Sequence, residues 1–188
     1  GIVAAGLIDA ALKSLKAEGL DFHLFDGIEA DPPARVVRNS VEIARAHKAD
    51  GVIGFGGGSS MDTAKLIAVL LNSSQKLEDI YGTGNIKGGR SALALLPTTS
   101  GTGSEVTDIA VVTTDDEQKM GILGDQMFAD VAILDPALTY GLPRHVTAAT
   151  GVDAMVHAIE AYTNKYRKNP VSDALARMRS LREGRSGA

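Results

Sequence analysis

The feature that most constrains the fold is a glycine turn between an apolar segment and a helical segment. Residues 52–55 form a short apolar run, residues 56–59 are Gly-Gly-Gly-Ser, and residues 63–71 have the amphipathic pattern of a helix. This order predicts a strand, a tight turn and a helix. Backbone N–H groups at such a helix N-terminus lack partners, and together with the helix dipole they can bind a phosphate. A turn without any ligand is an equally good interpretation of this segment alone, because the segment matches neither G-x-x-x-x-G-K-[ST] nor G-x-G-x-x-G.

Apolar runs and helical periodicities alternate along much of the chain. The spacing of apolar residues predicts helices over 5–18 and 33–48, and short apolar runs predict strands over 21–25, 92–96 and 131–134. We expect the last two strands to be buried, because their apolar runs are continuous. Helices that alternate with strands favour an α/β fold built on an open, mostly parallel sheet with flanking helices.

Two segments depart from this alternation. Residues 109–113 and 118–123 flank a polar turn, which predicts a β-hairpin inserted into the α/β layer. From Pro143 onward the pattern is helical only. We therefore divide the chain into an α/β domain of residues 1–142 and the start of an all-helical second domain, residues 143–188.

Composition excludes several classes of partner and site. The 188-residue chain has a formal net charge of −4 and contains no cysteine. The negative charge gives a nucleic-acid partner no electrostatic support, and no apolar run approaches the roughly 20 residues of a membrane span. The absence of cysteine excludes disulfides, thiolate metal sites and cysteine nucleophiles, and it fits a reducing compartment. We therefore expect a cytoplasmic protein that binds neither nucleic acid nor membranes.

A second polar cluster follows the predicted strand 92–96. Residues 97–105 read Pro-Thr-Thr-Ser-Gly-Thr-Gly-Ser-Glu. Ligands of open α/β sheets bind at the carboxyl ends of the strands, where hydroxyl and N–H groups suit a ribose or a pyrophosphate. A polar loop that only closes the strand is the alternative, but two such clusters, each directly after a strand, favour nucleotide binding. Lys119 on the predicted hairpin is, taken alone, most simply a solvated surface lysine.

Asp153 and His157 are spaced to lie on one face of a helix, roughly 6 Å apart along its axis. A carboxylate and an imidazole placed in this way can bind a divalent metal. Because Ala154, Val156 and Ile159 around them are apolar, we expect this helix to be buried on more than one side. A structural Asp–His hydrogen bond is the alternative. The two residues alone favour that alternative, since two ligands do not make a tight metal site.

Taken together, these motifs resemble those of the iron-containing (group III) alcohol dehydrogenase family. The matching motifs are residues 56–59 with Asp62 and Lys65, residues 97–107, and residues 151–162 with Asp153 and His157. The order and spacing agree with the family from residue 1 to about residue 178. The resemblance implies a Rossmann-like α/β fold followed by a helical metal-binding domain.

The same resemblance implies a hydride transfer between NAD or NADP and a small alcohol or its aldehyde or ketone. By the family pattern, the cofactor-binding residues are Gly57, Gly58, Ser59, Thr98, Thr99, Thr102, Thr107 and Lys119, and the metal ligands are Asp153 and His157. The metal is expected to be Fe²⁺, with Zn²⁺ as the alternative, and to polarise the substrate oxygen. As partners we expect a small-molecule alcohol or carbonyl substrate and further copies of the chain, with a dimer as the expected state.

The chain also departs from the family. Family members are roughly twice as long. They have a strand before the position of Gly1 and two further metal-binding histidines beyond Ala188, so we expect a chain truncated at both ends. Asp31-Pro32 stands where the family usually has Asn-Pro. A nucleotide-binding module without a complete metal site is therefore an alternative. A further alternative is a relative such as glycerol dehydrogenase or dehydroquinate synthase, but the sequence of residues 101–105 argues against it.

Overall fold

The computed structural model describes residues 2–3, 6–166 and 168–183, with side chains described to residue 178. The helices are α1 (Asp9–Ala17), α2 (Ala34–Ala46), α3 (Gly58–Leu70), α4 (Arg144–Thr163) and α5 (Pro170–Glu183). The strands are β1 (Gly51–Gly56), β2 (Gly82–Thr83), β3 (Ala92–Pro97), β4 (Ile109–Thr113), β5 (Lys119–Leu123) and β6 (Val131–Ala132). The predicted α/β fold, with helical segments towards the end of the chain, is confirmed.

Three strands form a parallel sheet in the order β1-β3-β6. The register aligns Gly51 with Ala92 and Gly56 with Pro97. The carboxyl ends of β1 and β3 therefore meet at one edge of the sheet, where the glycine turn begins.

The remaining strands form a separate sheet in the order β2-β5-β4. Strands β4 and β5 are the predicted hairpin and pair antiparallel from Ile109 opposite Leu123 to Thr113 opposite Lys119. The hairpin is thus present but does not extend the parallel sheet. Sequence patterning missed β2, because its Gly82–Thr83 segment carries no apolar signal.

Helix α3 packs between two apolar cores. Met61, Ala64 and Ala68 contact Leu93 and Leu95 of β3. A second core joins other residues of α3 to α2 and the hairpin; its buried members include Val37, Leu66, Val69, Leu70, Val112 and Ile122. The helix therefore buries most of its circumference, which differs from the amphipathic pattern assigned to residues 63–71, and it begins earlier, at Gly58.

The close approach of α3 to the parallel sheet depends on Gly54. A Cβ atom at this position would lie 2.6 Å from Leu95 Cδ2 and 2.7 Å from Ala64 Cβ. Real Cβ atoms do not approach other heavy atoms so closely, so a larger residue at position 54 would push the helix away from the strands.

The prediction of a strand over residues 21–25 was wrong. The backbone of this segment forms no ladder with any strand of the described chain. It is instead held by side-chain contacts, including the His23 ring, which stacks on the His47 ring with centroids 3.9 Å apart. An apolar run alone cannot produce a strand when no partner accepts its backbone hydrogen bonds.

The burial expected for two other strands was also wrong in part. On β3, Leu93 and Leu95 are buried but Ala94 and Leu96 are only half-buried, because α3 packs against one face of the sheet. Strand β6 pairs only through Val131 and Ala132 and lies at the sheet edge beside β3. The apolar side chains of residues 131, 133 and 134 are accordingly 51%, 45% and 66% exposed.

The chain divides into two compact units. One comprises Gly1–Thr98 and Ser104–Leu138, and the other comprises Thr99–Gly103 and Thr139–Ala188. The functional domain division at residues 142 and 143 remains a prediction. Within the described residues, no helix has the length and apolar character needed to cross a membrane.

The start of β3 is fixed by an ion pair that gives stability a specific dependence on pH. The Asp130 carboxylate accepts two hydrogen bonds from Arg90, at 2.7 and 2.9 Å, and one from the Leu93 N–H at 2.8 Å. These donors lower the pKa of Asp130 from 3.8 to about 2. A depressed carboxyl pKa contributes stability that is present above pH 3.8 and is lost as the pH falls towards 2.

We therefore predict that Asp130→Asn destabilises the chain at neutral pH and that its difference from wild type vanishes as the pH falls from about 4 to 2. Urea unfolding followed by circular dichroism at each pH measures this difference. Asp50→Asn is the control, since Asp50 is exposed and no ion pair is found for it in the described part of the chain. A deficit that stays constant down to pH 2 would show that the Asp130 charge is not its cause.

Candidate functional site

The N-terminus of α3 follows directly from the end of β1. Gly57 precedes the helix in an extended conformation, and its carbonyl accepts hydrogen bonds from the N–H groups of Ser60 and Met61, both at 3.1 Å. No side chain of the described residues caps this helix. The N–H groups of Gly58 and Ser59 therefore stand at the positive end of α3, ahead of the first intrahelical hydrogen bonds.

Gly56 allows this turn to form. Its φ angle is 146°, and an added Cβ would lie 2.6 Å from Ser60 Oγ and 2.8 Å from Ser60 Cβ. Only glycine adopts such a conformation at low cost. The Gly56 carbonyl accepts a hydrogen bond from the Thr98 N–H at 2.9 Å, and Thr98 itself is buried. The turn and the first threonine of the second polar cluster are thus held side by side.

Lys65 of α3 is fully buried and hydrogen-bonded. Its Nζ donates to the Ile109 carbonyl at 2.8 Å, to the Thr107 carbonyl at 3.0 Å and to Thr107 Oγ1 at 3.2 Å. Because Nζ has three protons, these contacts use its full donor capacity. The Thr107 hydroxyl in turn donates to the Ser104 carbonyl at 3.3 Å, so the predicted cofactor-binding Thr107 is engaged inside the chain.

Asp62, one helical turn before Lys65, binds the same segment. Its carboxylate accepts from Ser104 Oγ at 2.6 Å and from the Val111 N–H at 3.0 Å. Burial raises the pKa of Asp62, while the hydrogen bonds from Ser104 and Val111 and the charge of Lys65 lower it. Burial lowers the pKa of Lys65, against the opposing charges of Asp62, Glu105 and Asp108. We use the name α3 clamp for Asp62 and Lys65 together with the segment that they bind, residues 104–111.

Ser59, on the first turn of α3, contacts the loop before α2. Its Oγ accepts a hydrogen bond from the Asp31 N–H at 3.3 Å. The Asp31 carboxylate pairs with Lys119 Nζ at 2.8 Å, and both side chains are about two-thirds exposed, 65% and 63% respectively. Lys119 is therefore neither buried nor unpaired, and it is joined through Asp31 to the beginning of α3.

Thr99 and Thr102 lie in the short segment Thr99–Gly103, which belongs to the same compact unit as α4. Within that unit, Gly101 approaches α4 so closely that an added Cβ would lie 2.8 Å from the Thr150 carbonyl oxygen. The glycine in the second polar cluster thus has a packing role against α4. The ligand-binding roles of Thr99 and Thr102 remain predictions.

Asp153 and His157 lie one turn apart on α4. Asp153 Oδ1 and His157 Nε2 are 3.9 Å apart, and the side chains are 43% and 45% exposed. The expectation that this helix is buried on more than one side was wrong: among its described residues only Ala154 and Ala158 are buried, and Ile159 is 58% exposed. The apolar neighbours therefore do not seal the pair away from solvent.

The donor set fits part of a metal site. Two donors with bonds of 2.0–2.2 Å to one ion are separated by roughly 3.0–3.5 Å, so the Asp153–His157 pair needs a movement of less than 1 Å to share an ion. Among the described residues, no group of three or more His, Cys, Asp and Glu side chains comes together as a metal centre. The pair can therefore fill two coordination positions of a metal ion, and the remaining positions need other ligands.

Three residues outside the predicted site bind its members or the segment that carries them. Asp62 and Lys65 were part of a recognised motif but had no predicted role, although a carboxylate and a lysine three apart in an otherwise apolar helix are a signal for buried pairing. Asp31 was noted only as a departure from a family pattern. Its connection to Ser59 and Lys119 spans too much of the chain to be visible in local spacing.

Comparisons with known proteins place the chain in one group. A family model described as iron-containing alcohol dehydrogenase matches residues 1–136. A second model, described as the C-terminal part of the Fe-containing alcohol dehydrogenase family, matches residues 147–181. A choline dehydrogenase of Bacillus subtilis is 41% identical over 182 residues, which are 95% of this chain and 45% of that protein.

Two solved structures agree with this result. An iron-containing alcohol dehydrogenase from Thermotoga maritima superimposes with a TM-score of 0.84 at 40% identity, covering 91% of this chain and 47% of that one. A sulfoacetaldehyde reductase from Bifidobacterium kashiwanohense, solved with NAD⁺, has a TM-score of 0.81 at 30% identity and covers 97% of this chain and 53% of that one. The chain thus spans about half the length of the relatives it matches.

The α3 clamp predicts a large loss of stability on removal of Lys65. Lys65→Met keeps the buried volume but leaves the Thr107 and Ile109 carbonyls without their donor, so we expect a loss of about 2–4 kcal/mol in the free energy of unfolding. Urea unfolding measures this loss, with Lys13→Met on the exposed side of α1 as the control. A Lys65→Met chain within about 0.5 kcal/mol of wild type would mean that the buried amine stabilises nothing.

Proposed function

The chain belongs to the iron-containing alcohol dehydrogenase family, and on this premise we propose that it is the nucleotide-binding part of a hydride-transferring oxidoreductase. The proposed reaction moves a hydride between NAD or NADP and a small alcohol or its aldehyde or ketone. The observation that carries the proposal is the uncapped N-terminus of α3 directly after the glycine turn at the carboxyl end of β1. This is where parallel sheets bind the pyrophosphate of a dinucleotide.

The residues proposed to hold the cofactor have distinct tasks. The N–H groups of Gly58 and Ser59 would hold the pyrophosphate, and Gly57 would leave room for its approach. The Ser59 hydroxyl accepts from Asp31 and still has its own proton to donate to a ligand. The other members of the proposed set are Thr98, Thr99, Thr102, Thr107 and Lys119. The Thr107 hydroxyl and carbonyl are both hydrogen-bonded inside the chain, so we propose that Thr107 shapes the site by its position.

The relatives support a nicotinamide cofactor but do not select one substrate. The sulfoacetaldehyde reductase structure contains NAD⁺. Other relatives are described as choline dehydrogenase and as NAD-dependent methanol dehydrogenase. The substrates in these names share an alcohol or aldehyde group, but the rest of each molecule differs. We therefore propose a small alcohol or carbonyl substrate.

Asp153 and His157 are proposed as the first two metal ligands. Both are donors that Fe²⁺ and Zn²⁺ accept, and they lie on one exposed face of α4. An ion at this position would supply Lewis-acid polarisation of the substrate oxygen. This chain would contribute one carboxylate and one imidazole from a single helix. We also propose that residues 1–142 form the nucleotide-binding domain and that residues 143–188 begin a helical metal-binding domain.

The alternative is a nucleotide-binding module without a complete metal site. A chain that offers two ligands among its described residues could bind nucleotide and hold no metal. Metal content after purification and nucleotide titration separate the two proposals, because the metal-assisted enzyme needs about one ion per chain, whereas the nucleotide-binding module needs none. Association into a homodimer is part of the first proposal, and sedimentation measures it.

We predict that the chain binds NADH and that Gly58→Val weakens this binding at least about tenfold. A valine side chain at the first helical position would hold a pyrophosphate away from the backbone donors. The emission of bound NADH itself reports the titration, since the chain contains no tryptophan for energy transfer.

Gly89→Val is the matched control for this variant. Gly89 has open space where a Cβ would stand and is far along the chain from the turn. It should bind NADH like wild type. Equal affinity of the Gly58→Val and wild-type chains would mean that the turn is structural and does not contact the cofactor.

We also predict that binding of a divalent metal depends on His157. Because the imidazole is one of the two proposed ligands, His157→Ala should lower the Zn²⁺ affinity measured by calorimetric titration at least about tenfold. His145→Ala, which removes an exposed histidine at the start of the same helix, should leave it unchanged. Unchanged Zn²⁺ affinity in His157→Ala would exclude the imidazole as a ligand.

A further inference from the structure

Asp31 presents a negative charge beside the proposed pyrophosphate site. Its backbone is fixed at two points: the N–H donates to Ser59 Oγ at 3.3 Å, and the carbonyl accepts from Thr113 Oγ1 at 2.9 Å. The next carbonyl, that of Pro32, accepts from the Thr113 N–H at 3.0 Å. Asp31 adopts a φ of 49°, in the left-handed region that Asp and Asn tolerate better than most residues.

This anchoring leaves the side chain of Asp31 as its most exposed part. The side chain is 65% exposed, and among the described residues its carboxylate has one cationic partner, Lys119 Nζ, at 2.8 Å. Lys119 begins β5, on the hairpin strand paired with β4, which carries Thr113. The ion pair thus joins the hairpin to the loop that contacts the first turn of α3.

We propose that Asp31 competes with the anionic ligand for Lys119 and thereby limits the affinity of the nucleotide site. This inference rests on the proposed function. In the free chain Lys119 is held by the carboxylate. A pyrophosphate at the N-terminus of α3 attracts the same cation. The charge of Lys119 is partly neutralised as long as Asp31 stays paired with it, so less of that charge serves the ligand.

The energetics make this exchange feasible. Exposed ion pairs are weak, because solvent screens both charges and the long lysine side chain loses freedom on pairing. Breaking the pair therefore costs little, and a doubly charged pyrophosphate is a stronger attractor than a single carboxylate. Asp31 also repels an incoming anion directly, so both effects of its charge act against binding.

Removing the Asp31 charge should therefore strengthen binding. Asp31→Asn keeps the side-chain shape and tolerates the positive φ, so the backbone contacts to Ser59 and Thr113 are retained. We expect Asp31→Asn to bind NADH and ADP-ribose about two- to fivefold more tightly than wild type at low salt. The gain should shrink at about 0.5 M salt, where charges are screened over a few ångströms. Affinity for uncharged adenosine should not change.

A double-mutant cycle with Lys119→Gln tests the competition itself. If Asp31 acts by holding Lys119, the gain from Asp31→Asn should be smaller in a chain that lacks the lysine. Glu29→Gln is the matched control, since it removes another exposed carboxylate, 48% exposed, from an ion pair with Arg35. It should leave NADH affinity unchanged.

The outcomes separate this inference from the proposed function. A wild-type chain that binds neither NADH nor ADP-ribose overturns the proposed function and this inference with it. If wild type binds NADH and Asp31→Asn binds it equally or more weakly, the inference is overturned and the proposed function is not. An equal gain with and without Lys119 also overturns it, because Asp31 would then act without its partner.

Discussion

The buried amine of Lys65 is the interaction on which the packing of the α/β unit depends. It carries a charge into the position where α3 meets residues 104–111, a place that the surrounding helix would otherwise fill with apolar atoms. Burying a charge is costly unless its protons are all bonded, and here they are. Asp62, one turn earlier, accepts from both ends of the same segment. Lys65 and Asp62 therefore hold residues 104–111 by directional hydrogen bonds. Apolar contacts would bury this segment, whereas hydrogen bonds also fix its position on α3.

This clamp explains how a mostly apolar helix can serve a polar site. The buried middle of α3 packs against both cores, while its N-terminus remains uncapped beside the end of β1. Gly54 lets the helix lie close to β3, and Gly56 turns the chain sharply enough for α3 to begin two residues later. The N–H groups proposed to bind phosphate are thus positioned by glycines that the packing and the backbone conformation already require, whether or not a ligand binds.

Local patterning was sufficient for most of the elements and insufficient for their surroundings. Apolar periodicity identified α2, β1, the β4–β5 hairpin and α4, since each has its signal within one continuous segment. It placed the start of α3 too late, because glycine at positions 57 and 58 disfavours a helix and only the strand before it makes the helix begin there. It assigned a strand to residues 21–25, which pair with no strand in the part of the chain that the structure describes.

The candidate functional residues also divide into those with a local signal and those that depend on distant contacts. The glycine turn and the Asp153–His157 pair are local, so spacing alone was enough to nominate them as candidates. The contacts that control them are not local: Lys65 reaches residues more than forty positions later, and Asp31 reaches Ser59 and Lys119. A charged residue in a sequence is most simply a solvated one, and only the fold shows that Lys65 is buried and that Asp31 faces another charge. Because the turn is built from backbone atoms, which are the same in every sequence, the proposed affinity for a nucleotide would be tuned by the side chains that the fold brings beside the turn from distant segments.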